Sequence, residues 1–301
     1  MTRPAEGHVE RYARLIDRFV AWATTRDDIV AAFIVGSRSR TDHPADESSD
    51  LDLVKFANEP SVLLDDPGWL EHMGDVSITF REPTAVGIWE ERRALFADGC
   101  DVDFSILPAD VLQPLRAMRP GDPIYEEAGS VIARGYRVVL DKEGGLAEAL
   151  ERAASAGMPA PPSPTQETFD QHFADFWYHC PWAARKLARG ELIVAHQTLD
   201  GHLRGLLIQF IHWAVDRTGK TWHGSRFFNE WAPSPAREML PQTWARHEAG
   251  DIRRAMEVAM DLASALQKDI ARDYGFTLDG EAERAARYWV NVALDSPDRS
   301  G

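Results

Sequence analysis

Residues 35–56 read VGSRSRTDHPADESSDLDLVKF. The stretch carries the chain out of one strand, around a polar loop and into the next. Just upstream, IVAAFIV (29–35) is a short apolar run rich in β-branched residues, the pattern of a buried strand, and it ends at Gly36-Ser37. The loop RSRTDHPADESS holds a proline and several turn formers. DLDLVKF (50–56) then alternates charged and apolar residues and reads as a second strand. Side chains two apart on a strand share a face, so Leu51 and Leu53 point into a core while Asp50 and Asp52 project together. Two carboxylates so placed repel unless a cation lies between them. Mg²⁺ suits the position, since it takes hard oxygen ligands and shares its shell with phosphate oxygens.

The turn before the loop has a matching use. Gly36 allows a tight bend and close backbone approach to a phosphate. Amides of such a turn form an anion-binding concavity. Ser37 adds a hydroxyl, and Arg38 and Arg40 offer charge-assisted hydrogen bonds. A phosphate cradle and a metal clamp are the parts that phosphoryl transfer requires.

Working outward, GDVSITF (74–80) and CDVDFSIL (100–107) read as further strands, and VIARGYRVVLDK (131–142) ends in a fifth. Residues 8–26 have helical spacing, and helical material is expected between the strands, including 86–97. Asp101 and Asp103 share one strand face. Asp103 is flanked by Val102, Phe104 and Ile106, which favours it as the third carboxylate, a second metal ligand and general base for an acceptor hydroxyl. Each piece alone is weak. Strand, Gly-Ser, loop, Asp-x-Asp and a later strand aspartate together are specific.

The character of the sequence changes at GMPAPPSPT (157–165), whose four prolines cannot sit inside a helix. This divides the chain into an α/β domain with a mixed sheet (1–157) and an all-α helical bundle (158–301). Helices are expected at 166–189, 191–218, 234–248, 250–274 and 281–294. LIVAHQTLDGHLRGLLIQFIHWAVD (192–216) is apolar on most sides and should be the central helix. Gly219 and Gly275 suit helix C-terminal caps.

The 301 residues carry a net charge of −15 and two cysteines. No disulfide framework, secretory signal or membrane-spanning run is expected, which points to the cytoplasm. An acidic chain repels phosphate backbones, so nucleic acid is a poor partner and a cationic small molecule a better one. The oligomeric state is not legible.

The sequence resembles the nucleotidyltransferase superfamily and, more narrowly, the aminoglycoside 6-adenylyltransferases that modify streptomycin. In the first half the resemblance rests on IVGSRSR, SDLDLVKF, DVDFSILP and GYRVVLDKEGGL. In the second it rests on ARKLARGELIVAHQTLDGHLRGLLIQFIHW. It implies transfer of AMP from ATP, with Mg²⁺, to a hydroxyl of a small cationic acceptor. It makes Asp50, Asp52 and Asp103 metal ligands and catalytic groups, and Gly36 and Ser37 triphosphate contacts. Arg185, with Lys186 beside it, stands where the family has a lysine near the nucleotide. Asp200 and Arg204 match a Leu-Asp-x-x-x-Arg pattern, Glu191 an Arg-Gly-Glu-Leu pattern, and Asp75 an acidic position before the third strand; these four form the substrate side. Ser39-Arg40 replaces the family's usual alanine-asparagine. Two other readings stay open: the same chemistry on another acceptor, and a non-catalytic nucleotide-binding relative.

Trp89, Trp177 and Trp222 are candidates for stacking on a sugar, against ordinary core packing. Asp200 and Arg204, one helical turn apart, could equally form a local ion pair. His172, His179, His196, His202 and His212 form no spacing with cysteine or acid that reads as zinc.

Overall fold

A computed structural model describes residues 7–85, 87–155, 157, 163–215 and 221–295. The chain divides into two compact units, Met1–Pro159 and Ala160–Gly301.

In the first unit, helix α1 (His8–Thr24) precedes strand β1 (Ile29–Val35), and β2 (Leu51–Ala57) follows the loop. Helix α2 (Pro60–Asp65), β3 (Val76–Pro83), β4 (Glu90–Phe96) and β5 (Asp101–Pro108) come next, then α3 (Leu112–Ala117), α4 (Pro123–Ile132), β6 (Arg137–Asp141) and α5 (Leu146–Ser155). The six strands form one mixed sheet in the order β3-β4-β5-β2-β1-β6, with β2 and β5 parallel and every other pair antiparallel. β1 is buried at all seven positions, as a strand with helices on both faces must be. One face packs Leu51, Leu53, Val102 and Phe104 against α1. The other packs Phe33, Val35 and Phe56 against α3, α4 and α5.

The helix expected at 86–97 is instead β4. EERRALF places two glutamates before two arginines, which suits an ion-paired helix equally well. The alternation decides it. Arg92, Ala94 and Phe96 are buried on one face, and Glu91 and Arg93 project from the other.

Among its described residues, the regular elements of the second unit are helices: α6 (Gln166–Ala188), α7 (Leu192–Gln197), α8 (Arg204–Ala214), α9 (Phe228–Trp231), α10 (Ser234–Met239), α11 (Ala249–Tyr274) and α12 (Glu281–Leu294), with short 3₁₀ and π turns. Thr165 starts α6 with a capping box shared with Thr168. The helix expected at 191–218 is interrupted by a π turn, Thr198–Leu203, between α7 and α8. Its expected last residues and the Gly219 cap lie outside the described residues. The helix expected at 234–248 ends early. Pro241 lacks the backbone donor a continuing helix needs, so a 3₁₀ turn (Leu240–Thr243) follows α10 and Trp244 is extended. Gly275 caps α11 with φ +73°.

One core residue was not foreseen. Lys55 lies on the apolar face of β2 at 0% exposure. Its Nζ sits 3.1 Å from the Trp69 ring centroid and 5.1 Å from that of Phe104, with no hydrogen-bond partner. Burial pushes its pKa well below the usual lysine range. The unfolded chain therefore binds the extra proton, and stability rises with pH up to the ordinary lysine value of about 10.4. Lys55→Met, which removes the unpartnered buried amine and keeps apolar volume, is expected to raise the melting temperature at pH 7. Thermal unfolding at pH 7 and pH 10 checks this, because the gain should shrink at the higher pH.

Candidate active site

The parallel pairing of β2 and β5 sets Asp52 opposite Asp103, and Asp50 immediately precedes β2. Carboxylate oxygens of all three lie within 4.8 Å of one another. Antiparallel pairing puts Val35 beside Asp52 on one side and Arg93 beside Asp103 on the other. One row across the sheet thus runs Val35, Asp52, Asp103, Arg93.

Gly36 follows Val35 with φ +71°. A Cβ built there would stand 3.0 Å from Asp52 Cγ and closer still to Oδ2. Only glycine fits, because the turn closes directly over the carboxylate. Gly36–Arg38 forms a single 3₁₀ turn. The Ser37 hydroxyl, one residue after Gly36, is buried with no hydrogen-bond partner, an orphaned polar atom.

The arginines of the loop hold the loop. Arg38 donates from Nε to Asp50 O at 2.7 Å and from Nη2 to Ser49 O at 2.6 Å, and stacks 3.4 Å from the Tyr12 ring centroid. Arg40 donates to His43 O at 2.9 Å. Arg38 thereby fixes the backbone entering Asp50. Ser39 also serves the loop, donating to Gly36 O and Gly135 O.

Asp103 is the most buried of the three, at 7% exposure. Arg93 grips it with a fork, Nε to Oδ1 at 2.5 Å and Nη2 to Oδ2. Burial pushes the Asp103 carboxyl up, while the Arg93 guanidinium pulls it down. Arg93 also reaches Glu82 at 3.1 Å. Next to it, Glu91 accepts from the Ser105 hydroxyl at 3.3 Å. Burial, reinforced by the charge of Asp103, pushes the Glu91 carboxyl up to about 7. Glu91, Asp52, Ser105 and Trp89 line a cavity of about 470 Å³ whose remaining wall is mostly apolar.

Arg93 and Glu91 were missed because β4 was read as a helix. Period-two alternation in EERRALF was the signal that could have found them.

An acid whose folded pKa lies above its unfolded one takes up a proton on folding, so it costs stability as pH rises from about 4.5 through about 7. Glu91→Gln is expected to raise the melting temperature at pH 8 and to leave it nearly unchanged at pH 4.5. Unfolding scans in chelator at both pH values read the difference.

Asp75 does not join the row. The β3 residue paired with Arg93 is Phe80. Asp75 immediately precedes β3, the outermost strand, five residues before Phe80, roughly 16 Å away at strand spacing. Its side chain is exposed.

In the second unit, Arg185 is exposed on α6. Lys186 pairs with Glu191 at 2.9 Å, and Glu191 with Arg189 at 2.5 Å. Asp200 forms the local helix pairs: Arg204 donates to it at 2.6 Å and His196 Nδ1 lies 2.8 Å away. Arg204 is buried, donates to Thr243 O at 2.9 Å and lies 3.8 Å from the Trp244 ring centroid. Trp177 is core, bonded to Gln267. Trp222 is half-buried. Beyond His196, two further histidines meet one acid, which spacing alone did not show: His179 and His202 converge on Asp175.

A family model described as streptomycin adenylyltransferase matches residues 9–292. The chain belongs to that family. Among curated relatives it is 21% identical to an aminoglycoside 6-adenylyltransferase of Campylobacter jejuni, over 88% of this chain and 90% of that one. It is 22% identical to one of Bacillus subtilis, over 67% and 68%. A crystal structure of an aminoglycoside 6-adenyltransferase from Bacillus subtilis is similar at 16% identity and a TM-score of 0.44, covering 94% of this chain and 98% of that one. Membership makes this adenylyltransferase an enzyme of nucleotidyl transfer. Among the described residues of the adenylyltransferase, no helix is long and apolar enough to cross a membrane.

Proposed function

We propose that the chain transfers AMP from ATP to a hydroxyl of an aminoglycoside of the streptomycin type and releases pyrophosphate. The observation that carries this reading is the convergence of Asp50, Asp52 and Asp103 beneath the Gly36-Ser37 turn. Three carboxylates within 4.8 Å form an all-oxygen donor set that fits Mg²⁺, and the orphaned Ser37 hydroxyl of the adjoining turn fits a phosphate oxygen.

The acceptor hydroxyl oxygen attacks the α-phosphorus of ATP. The bond from that phosphorus to the bridging oxygen breaks, and pyrophosphate leaves. Asp103 takes the hydroxyl proton. Arg93 fixes the orientation of Asp103 through both carboxylate oxygens. Gly36 and Ser37 hold the triphosphate by backbone amide and hydroxyl. Mg²⁺, when bound by Asp50, Asp52 and Asp103, supplies neutralisation of the phosphate charge.

We assign this chemistry to the first unit. Recognition we assign to the second, with Arg185 and Lys186 toward the nucleotide and Asp200, Glu191 and Arg204 toward a cationic acceptor. Arg38 and Arg40, bound to loop carbonyls, shape the phosphate turn rather than reach into it. Use of ATP assigns the reaction to the cytoplasm.

Pyrophosphate release from ATP and Mg²⁺ across a panel of aminoglycosides tests the proposal. Release with streptomycin and not without acceptor is the expected result. ATP binding with silence across the whole panel would move the acceptor outside this class.

A further inference from the structure

Asp175 and His179 are one turn apart on α6 and so share a face. His202 comes from the π turn Thr198–Leu203, and the two segments pack together. One carboxylate oxygen, Asp175 Oδ1, lies 2.8 Å from His202 Nε2 and 2.6 Å from His179 Nδ1. The two imidazole centroids are 4.3 Å apart. One ligand atom from each residue falls within 4.8 Å of the other two.

We propose that Asp175, His179 and His202 bind a zinc-type divalent transition ion in the helical unit. The donor set decides the class of ion. Two imidazole nitrogens and one carboxylate oxygen suit Zn²⁺, Ni²⁺, Cu²⁺ or Co²⁺, whereas Mg²⁺ prefers oxygen alone and belongs with the aspartates of the sheet. Three protein ligands leave a tetrahedral ion one open position. The side chains of Asp175, His179 and His202 are 35%, 32% and 43% exposed, so solvent reaches the cluster and can fill that position.

The backbone supplies a second reason. A π turn is rare, and such turns occur frequently at functional sites. Here one turn carries two polar residues with different partners: Asp200 faces His196 and Arg204, and His202 faces Asp175. Burial pushes the Asp175 carboxyl up, but bonding from His202 and the charge of both imidazoles outweigh it, so the carboxyl is held below its usual value. A carboxylate oxygen within 2.8 Å of two imidazole nitrogens is a geometry into which a dication fits with little rearrangement. A bound ion would pin α6 to the turn that carries Asp200.

The test uses the untagged full-length chain, stripped with chelator and kept in excess Mg²⁺. Calorimetric titration with Zn²⁺ is expected to give one tight site. Co²⁺ is expected to give visible absorption of a low-coordinate ion. His202→Gln and His179→Gln should each weaken Zn²⁺ by at least about tenfold, whereas Asp52→Asn should leave it unchanged. Zn²⁺ should raise the melting temperature of the native chain and not of His202→Gln, whose metal-free melting temperature controls for folding. Absence of a Zn²⁺ site in excess Mg²⁺ overturns the proposal, leaving a carboxylate bridged by two histidines. Binding equal in native and histidine variants overturns it too.

Discussion

Asp103→Asn is expected to lose turnover by about 10³-fold while keeping ATP binding within a few-fold. Asparagine keeps the shape but cannot take a proton, and a positioned base contributes about 10²–10⁴-fold. The loss should exceed that of a surface carboxylate for a second reason. Arg93 donates to both oxygens of Asp103, and an amide accepts at only one. The guanidinium then shifts toward Glu82 and Glu91, already its neighbours at 3.1 and 4.0 Å, and leaves the row. Asp50 and Asp52 remain to bind nucleotide with its metal. Pyrophosphate release and calorimetric ATP binding, measured on one preparation, separate the two effects. Turnover within tenfold of the native chain would remove Asp103 from its role.

Much of this arrangement is legible in the sequence, for physical reasons. Asp50 and Asp52 declare themselves because a strand has period two and leucines fill the alternate positions. Asp103 does so because its flanks are apolar. What pairing creates is less legible. No local pattern says that β5 lies parallel to β2, so the Asp52–Asp103 contact follows only from sheet order. β4 was hidden by charge, since EERRALF satisfies a helix and a strand, and Arg93 and Glu91 were hidden with it. Lys55 was hidden by its type, because a lysine in an alternating strand reads as solvent-facing while this one sits among aromatic rings. The charge of Arg38 and Arg40 suggested phosphate, and nothing in the spacing shows the loop carbonyls to which they donate. The meeting of Asp175 with His202 was out of reach, since spacing along one chain does not reveal which helices pack together.

Gly36→Ala is expected to cut turnover by about 10²-fold or more while lowering the melting temperature by only a few degrees. At φ +71° an alanine carries about 1–2 kcal/mol of backbone strain, which the fold can absorb. The added methyl has no such freedom. It would stand 3.0 Å from Asp52 Cγ and nearer to Oδ2, and behind Asp52 lies the paired backbone of β1 and β5, so the carboxylate must swing sideways. A displacement of about 1 Å in a positioned group costs about 10²-fold in rate. The variant therefore separates two uses of glycine. If Gly36 only shaped the turn, stability and activity would fall together. If it also clears the space above a carboxylate that takes part in the reaction, as proposed for Asp52, activity should fall much further. Thermal unfolding and pyrophosphate release on the same sample give the two numbers, and a variant that melts far lower yet turns over at the native rate would show that the turn does not bear on Asp52.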